Sequence, residues 1–235
     1  MTPLVTWSQY RESIGDRSGL FAPLAETWPI GRALYPGSYV DLSPSTAIRS
    51  VTYVDTDARA ARFFADRRLV LEELEGRSRP GSVRQVRFLA ADYTQPLDVP
   101  EGSMDLVISL FAGPVGEHTR QYLRPGGLLL ANTSHGDASL AALDPSWELV
   151  AAVHKRGDPL PTGHGSARGV PDPETSGDGE RRPHPRHWPW HRLHPHRLRV
   201  PLPDDLTRID RPGNSADPPS HPHGCSVSRA RNSLA

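Results

Sequence analysis

Two hydrophobic periodicities alternate along the first two-thirds of the chain. Short apolar or alternating runs, which are typical of β-strands, are separated by segments whose apolar positions repeat at the spacing of one helix face. The clearest strand is at 50–57, which is rich in β-branched and aromatic residues, and the clearest helical pattern follows it directly. The pattern predicts strands at 32–36, 50–57, 83–91, 104–111, 128–132 and 147–154, and helices at 5–16, 58–76, 117–123 and 136–143.

The order of these elements predicts the fold class. Strands that alternate with helices favour a mostly parallel sheet with right-handed crossovers. We therefore expect an α/β fold of three layers with a doubly wound sheet. The apolar centre of residues 104–111 fits a strand that is covered on both faces. Residues 19–30 supply apolar anchors interrupted by Pro23 and Pro29, and we expect them to cover an edge of the sheet.

The pattern ends near Gly157. Beyond it neither periodicity persists, and 12 of the 25 prolines lie from Gly165 onward, a density that excludes long helices and central strands. We therefore expect a folded domain at 1–157 and a disordered Pro/Arg/His-rich tail at 158–235. Aperiodic sequence of this kind is typical of a GC-rich gene read out of frame. We hypothesise that a frameshift near 157–170 replaced the authentic end and left the sheet incomplete at its C-terminal edge.

One run of the tail, at 181–203, admits two further interpretations. Its histidines could ligate zinc or nickel, and its arginines and tryptophans could contact single-stranded nucleic acid. Neither is favoured, because the run has no fixed ligand spacing and no folded scaffold around it. We expect no metal site and no nucleic-acid partner. The histidines concerned are His184, His187, His191, His194 and His196.

Composition narrows the class of protein further. Lys+Arg and Asp+Glu balance at 27 each, so no net charge recruits nucleic acid or an anionic membrane. The one cysteine, Cys225, excludes an intrachain disulfide and favours a cytoplasmic protein. The first residues lack the apolar core of a signal peptide, and no run approaches the ~20 apolar residues of a membrane helix. We expect a cytoplasmic protein without a membrane contact.

Polar residues and a glycine follow several of the predicted strands. The carboxyl ends of parallel strands meet at one edge of a sheet, where ligands bind. Asp55 could accept both hydroxyls of a ribose, since a carboxylate offers two acceptor oxygens to a diol, or it could cap the next helix. Gly37 would let backbone approach a ligand, or it could be a plain turn glycine. Asp92 could accept from an adenine amine, or it could be an ordinary turn acid.

This ordered set of strand ends, followed by the turn RPGG at 124–127, resembles the class I S-adenosylmethionine-dependent methyltransferases over residues 30–155. The resemblance implies a Rossmann-like fold, with S-adenosylmethionine as cofactor. It implies that the loop after the first strand passes under the methionine part, that Asp55 takes the ribose and that Asp92 takes the adenine. The end of the fourth strand would face the methyl group. The implied cofactor-binding residues are Tyr35, Pro36, Gly37, Ser38, Asp55, Asp92, Tyr93, Ser109 and Phe111.

The first loop departs from the family pattern, because it has one glycine and a proline and lacks the usual acid. The main alternative is a non-catalytic Rossmann-like binding or scaffold protein. A nicotinamide oxidoreductase is disfavoured by the absence of G-x-G-x-x-G. No catalytic residue is assigned, because methyl transfer requires alignment more than acid–base help. Glu117 and His118 could act as acid or base, or could be solvated helix residues. His135 and Asp137 could contact substrate, or Ser134 or Asp137 could cap the following helix. The short segments between strands favour a small-molecule acceptor.

Overall fold

The computed structural model describes residues 4–77, 84–133, 135–153, 209–210 and 225–231. Their elements form a mixed sheet with helices on both sides, in the order β3-β2-β1-β4-β5-β8-β6-β7. The strands are β1 Arg32–Pro36, β2 Ser50–Asp55, β3 Gln85–Ala90, β4 Met104–Ser109, β5 Leu123–Asn132, β6 Trp147–Val153, β7 Ile209–Asp210 and β8 Cys225–Ala230. The helices are α1 Trp7–Ile14, α2 Ser18–Thr27, α3 Ala58–Ala65, α4 Arg67–Leu74, α5 Val115–Thr119 and α6 Asp137–Leu143, with 3-10 turns at Ser43–Thr46 and Arg120–Tyr122.

Five strands run parallel and reverse their winding at β1. β1 pairs with β2 on one side and with β4 on the other, and β3 and β5 extend the sheet in the two directions. This arrangement confirms the predicted α/β class with a mostly parallel, doubly wound sheet. In sheets of this kind the crevice beyond the carboxyl ends of the strands, at the point of reversal, is the usual ligand position.

Alternating residues of each strand divide the apolar core between the two faces of the sheet. In β1, Ala33 and Tyr35 join a cluster with residues of α1 to α4, whereas Leu34 joins a cluster with residues of α5 and α6. β5 alternates in the same way, with Leu128 and Leu130 on the first face and Leu129 on the second. Both faces are therefore covered, as the continuous apolar runs of the central strands predict.

The predicted helix at 58–76 is two helices, which meet at Asp66. The Asp66 backbone N–H still closes α3 on the Phe63 carbonyl at 3.2 Å, while its side chain accepts from the Leu69 N–H at 3.0 Å and begins α4. Aspartate competes for backbone donors in this way and therefore favours helix ends over helix interiors. The apolar periodicity of the sequence continues across Asp66 and therefore predicted one helix where the structure has two.

The expectation that the sheet lacks a strand at its C-terminal edge is corrected by β8. Cys225–Ala230 lies antiparallel between β5 and β6, and hydrogen-bonds to both. Val227 is fully buried on one face, and Ser226 and Ser228 are 2% exposed on the other. Its three apolar residues, Cys225, Val227 and Ala230, stand among two serines and an arginine after a proline-rich run, and so give a weak strand signal. The structure of the intervening run, including its histidines, lies outside the described residues, so the domain boundary at 157 stays a prediction.

The described helices include none with the length and apolar character needed to cross a membrane. The RPGG segment, predicted as a turn before the fifth strand, lies inside β5, where the register with β4 shifts between Met104 and Leu106. Gly126 has a φ of 73° there. The segment is a local irregularity at the amino end of β5, far along the strand from the crevice.

Candidate functional site

The loops that follow β1, β2, β3 and β4 meet at one edge of the sheet. The register of the strands aligns their carboxyl ends, because Pro36 lies opposite Val54 and Asp55 lies opposite Ala90. The loops also touch directly: the Tyr39 N–H of the first loop donates to Asp55, and the Tyr93 hydroxyl of the third loop donates to the Ala112 carbonyl of the fourth. The predicted cofactor residues from four strands therefore border one crevice edge.

Asp55 is half-buried at the end of β2 and joins two segments of backbone. Its Oδ2 accepts from the Tyr39 N–H at 2.7 Å, and its Oδ1 accepts from the Asp57 N–H at 2.8 Å. The helix cap that the sequence left as an alternative falls to Asp57, which accepts from the Arg59 N–H at 2.7 Å. An ionised carboxylate has about four acceptor positions, so each oxygen of Asp55 keeps capacity for one more donor.

Asp57 is held ionised by its neighbour. Its carboxylate pairs with the Arg59 guanidinium at 2.6 Å, and hydrogen bonds from that side chain lower the pKa of Asp57 to about 2. The Arg59 guanidinium carbon also lies 5.2 Å from the centre of the Tyr39 ring, in the loop after β1. The start of α3 is thereby tied to the loop after β1.

Gly37 stands where no other residue fits. Its φ is +62°, and a Cβ on it would lie 2.2 Å from the Cβ of Ala112. Its N–H donates to the Val54 carbonyl at 2.8 Å. The loops after β1 and β4 are thus in backbone-to-side-chain contact at this point. The plain turn role that the sequence left open is insufficient, because close packing against Ala112 also requires a glycine.

The other members of the first loop have buried side chains. Tyr35 is 1% exposed, and its hydroxyl donates to the Asp41 carboxylate at 3.1 Å; burial raises the pKa of Tyr35 well above its ordinary value. Pro36 is buried at the end of β1. Ser38 is 1% exposed, and its hydroxyl donates to the Tyr39 carbonyl at 3.4 Å.

Asp92 and Tyr93 behave differently from each other. Asp92 is exposed and turns back on its own loop, where Oδ1 accepts from the Thr94 N–H at 2.9 Å and from its hydroxyl at 2.8 Å. Those hydrogen bonds, with a smaller effect of the nearby His118, lower the pKa of Asp92. Partial burial raises the pKa of Tyr93, whose hydroxyl is fixed on Ala112. Among the described residues, the Asp92 carboxylate accepts from its own loop, whereas Asp55 accepts from the loops after β1 and β2.

Ser109 and Phe111 close the fourth strand. Ser109 is 2% exposed, and its hydroxyl donates to the Gly113 carbonyl at 3.4 Å. Phe111 is half-buried and has a φ of +65°. The Arg17 guanidinium carbon lies 5.1 Å from the centre of its ring, and the ring of His135 meets it edge-on at 6.3 Å.

Sequence reasoning missed a buried ion pair behind this edge. Arg17, which precedes α2, contacts the Asp41 carboxylate at 3.0 Å, and the two side chains are 6% and 1% exposed. Asp41 also accepts from the Ser43 N–H at 3.0 Å and from its hydroxyl. An arginine between two helices gives no signal of burial in the sequence. The acid six residues after Tyr35 was the only available hint.

The acid–base candidates, Glu117 and His118, and the substrate-contact candidates, His135 and Asp137, lie around the same edge. Glu117 and His135 are exposed, and His118 is half-buried with its ring centre 6.0 Å from that of Tyr93. Asp137 is 3% exposed and accepts from the Gly116 N–H at 3.0 Å, which ties the start of α6 to α5. The ranges that the structure describes contain no group of three or more His, Cys, Asp or Glu residues placed to hold a metal ion.

Comparison with known proteins gives similarities to solved structures only. No family model matches the chain, and no curated protein matches it significantly. A methyltransferase from Geobacter sulfurreducens is 17% identical, with 62% of this chain and 79% of that chain covered and a TM-score of 0.44. An S-adenosylmethionine-dependent methyltransferase from Methanosarcina mazei is 15% identical, with 54% and 70% covered and a TM-score of 0.38.

The YcgJ protein from Bacillus subtilis is 20% identical, with 49% of this chain covered and a TM-score of 0.37, and the chain spans 50% of its length. Identities and TM-scores at this level add no argument about function. The strand order, the reversal of winding at β1 and the helices on both faces of the sheet are features of the chain's own structure. On those grounds the chain has a Rossmann-like fold with a mixed sheet.

Proposed function

We propose that this chain binds S-adenosylmethionine across the carboxyl ends of β1 to β4 and transfers its methyl group to a small-molecule acceptor. The observation that carries the proposal is the position of Asp55. Its carboxylate closes β2 beside the loop after β1, is half-buried, and uses one acceptor position on each oxygen for backbone. The positions left over match the two hydroxyls of a ribose.

The residues around Asp55 have a backbone conformation and hydrogen bonds that suit such a cofactor. Gly37 gives the loop after β1 its left-handed turn, with a φ of +62°, and the Tyr39 N–H fixes the Asp55 carboxylate before any ligand binds. The cofactor would supply an activated methyl group on a sulfonium. The chain's own task is to orient the acceptor in line with it and to exclude water. No general base is assigned to this step.

One contact favours a second candidate, a binding module without catalysis. Ala112 packs against the face of Gly37, and the Tyr93 hydroxyl is bonded to the Ala112 carbonyl. These contacts bring the loops after β1 and β4 together, in the region that the methionine part of the cofactor requires. A protein that holds only a nucleoside, or a partner, would keep this closed arrangement.

The test is calorimetric titration of the full chain with S-adenosylmethionine and, separately, with NAD. We expect binding of the first and none of the second. Asp55→Asn keeps the size of the side chain and replaces one acceptor oxygen by a donor, so affinity for S-adenosylmethionine should fall by about tenfold or more, the effect of losing a charge-assisted hydrogen bond.

Asp57→Asn is the matched control, two residues away. Asparagine caps helices as well as aspartate does, so this variant should fold normally and keep its affinity. Absence of heat with either ligand, from a sample with a cooperative unfolding transition, would favour the binding module. Equal loss of affinity in both variants would show that the loop, rather than the Asp55 carboxylate, is the sensitive feature.

A further inference from the structure

Two non-glycine residues of the described chain have a positive φ, and both border the crevice. Tyr39, with a φ of 46°, lies in the loop after β1, and Phe111, with a φ of 65°, lies in the loop after β4. Bulky residues adopt this conformation only where their surroundings enforce it, and such strain concentrates at functional sites. Both residues are aromatic, so the strained backbone at this edge presents two rings.

The first helices join these two rings into one surface. The Tyr10 ring of α1 meets Tyr39 edge-on, with centroids 5.1 Å apart. The Arg17 guanidinium carbon lies 5.9 Å from the Tyr10 centroid and 5.1 Å from the Phe111 centroid. Tyr10, Tyr39 and Phe111 are all half-buried. We call these three rings, with Arg17 between them, the aromatic wall.

The wall carries no net charge that would attract an ion. Arg17 is paired with Asp41 at 3.0 Å, and Arg59, which lies over Tyr39, is paired with Asp57 at 2.6 Å. Both cations are therefore already neutralised, and an uncharged ligand suits the wall better than an anionic one. Flat rings in offset or edge-on contact with such a surface gain more than saturated rings of similar size.

The wall also adjoins the proposed cofactor residues. The Tyr39 N–H donates to Asp55 at 2.7 Å, and Ala112, which follows Phe111, packs against Gly37. We propose that the aromatic wall is the acceptor subsite and that it takes an uncharged planar aromatic acceptor, with Tyr10 as a residue that determines this specificity. This inference rests on the proposed function, because it places the acceptor beside the proposed cofactor site.

The test compares 2-naphthol with its saturated counterpart, decahydro-2-naphthol, by calorimetry on the full chain saturated with S-adenosylhomocysteine. The cofactor product occupies any adenine site, so the probes report on the remaining surface. We expect 2-naphthol to bind about threefold to tenfold more tightly than the saturated alcohol, the value of one good aromatic contact. Tyr10→Leu should bring this ratio close to one, Tyr10→Phe should keep it, and neither should change the affinity for S-adenosylhomocysteine.

Phe88→Leu is the control, because Phe88 is also half-buried and stacks on Phe64, at 4.7 Å, outside the wall. It should leave the ratio unchanged. If S-adenosylhomocysteine binds and the wild-type ratio is near one, or if Tyr10→Leu keeps the preference, the inference is overturned while the proposed function stands. If S-adenosylhomocysteine does not bind, the proposed function fails and the acceptor subsite fails with it.

Discussion

At the scale of single residues, Gly37 and Gly102 share a backbone conformation and differ in their surroundings. Both have a φ of +62°, but a Cβ on Gly102 would meet nothing within 4 Å, whereas one on Gly37 would meet the Cβ of Ala112 at 2.2 Å. Substitutions at these two glycines therefore distinguish the free-energy cost of a left-handed backbone from the cost of a steric clash with Ala112.

We predict that Gly102→Ala lowers the free energy of unfolding by about 1–2 kcal/mol, the cost of a left-handed alanine. Gly37→Ala should lower it by a further ~1–3 kcal/mol, since it also overpacks the contact with Ala112. Urea unfolding monitored by tryptophan fluorescence measures both. The double variant Gly37→Ala with Ala112→Gly should recover most of the difference, and equal losses in the two single variants would disprove the contact.

The buried pair of Arg17 and Asp41 gives a second prediction. Arg17→Met leaves the Asp41 carboxylate buried without its cation, which should lower the free energy of unfolding by about 3–5 kcal/mol. Arg68→Met is the control, because Arg68 pairs with Glu72 at 2.7 Å but is 87% exposed, so water screens the pair and its loss should change the free energy of unfolding little. Similar losses from both variants, measured by urea unfolding, would refute the burial of Arg17.

Residues whose position follows from the chain nearby were accessible to sequence reasoning. Asp55 stands directly after a strand, and Gly37 in a Pro-Gly turn, so both could be placed at the crevice edge. Tyr10 and Arg17 could not, because they reach that edge only through packing of the first two helices into the core on one face of the sheet. Long-range packing leaves no periodic trace in the sequence.

At the scale of elements, β8 is the feature that local patterns could not reveal. Its partners Leu128–Asn132 and Trp147–Val153 lie some 70 to 100 positions earlier in the chain. Both of its faces are buried, with Cys225 and Val227 on one face and Ser226 and Ser228 on the other. The same limit applies to the break between α3 and α4, where a capping aspartate overrides a continuous apolar stripe.

The single cysteine of the chain lies in β8, so its reactivity measures how well that strand is buried. Cys225 is 1% exposed, and burial raises the pKa of its thiol to about 12. A raised pKa means that the reactive thiolate is scarce at mildly alkaline pH and increases only as pH rises toward that value. We predict that an aromatic disulfide reagent labels the native chain at least ~100-fold more slowly than the chain unfolded in guanidinium chloride, because labelling requires the strand to open.

Fast labelling of the native chain would contradict the placement of β8. Ser8→Cys in a Cys225→Ser background supplies the comparison, since Ser8 is half-buried on α1, outside the sheet. Its thiol should react readily in the native chain. The two rates together separate burial in the sheet from general protection by the fold.

At the scale of the whole molecule, the sheet order determines where a ligand can bind. The winding of the sheet reverses between β1 and β4, and the carboxyl ends of β1 to β4 with their loops bring Gly37, Asp55, Tyr93 and Phe111 to one edge. The alternation of strands and helices is a local pattern, so the layered class could be predicted. The contacts that narrow the edge, from Ala112 to Gly37 and from Tyr93 to Ala112, depend on side-chain placement and could not.

The central claim is that the Asp55 carboxylate accepts hydrogen bonds from both hydroxyls of a ribose. A double-mutant cycle between protein and ligand tests it most directly. Calorimetry would give the affinities of S-adenosylhomocysteine and of its 2′,3′-dideoxy analogue for the wild-type chain and for Asp55→Asn. We predict that the two changes are coupled by about 1–3 kcal/mol, since each removes the same hydrogen bonds. Tight binding of both ligands with a coupling energy near zero would contradict the account.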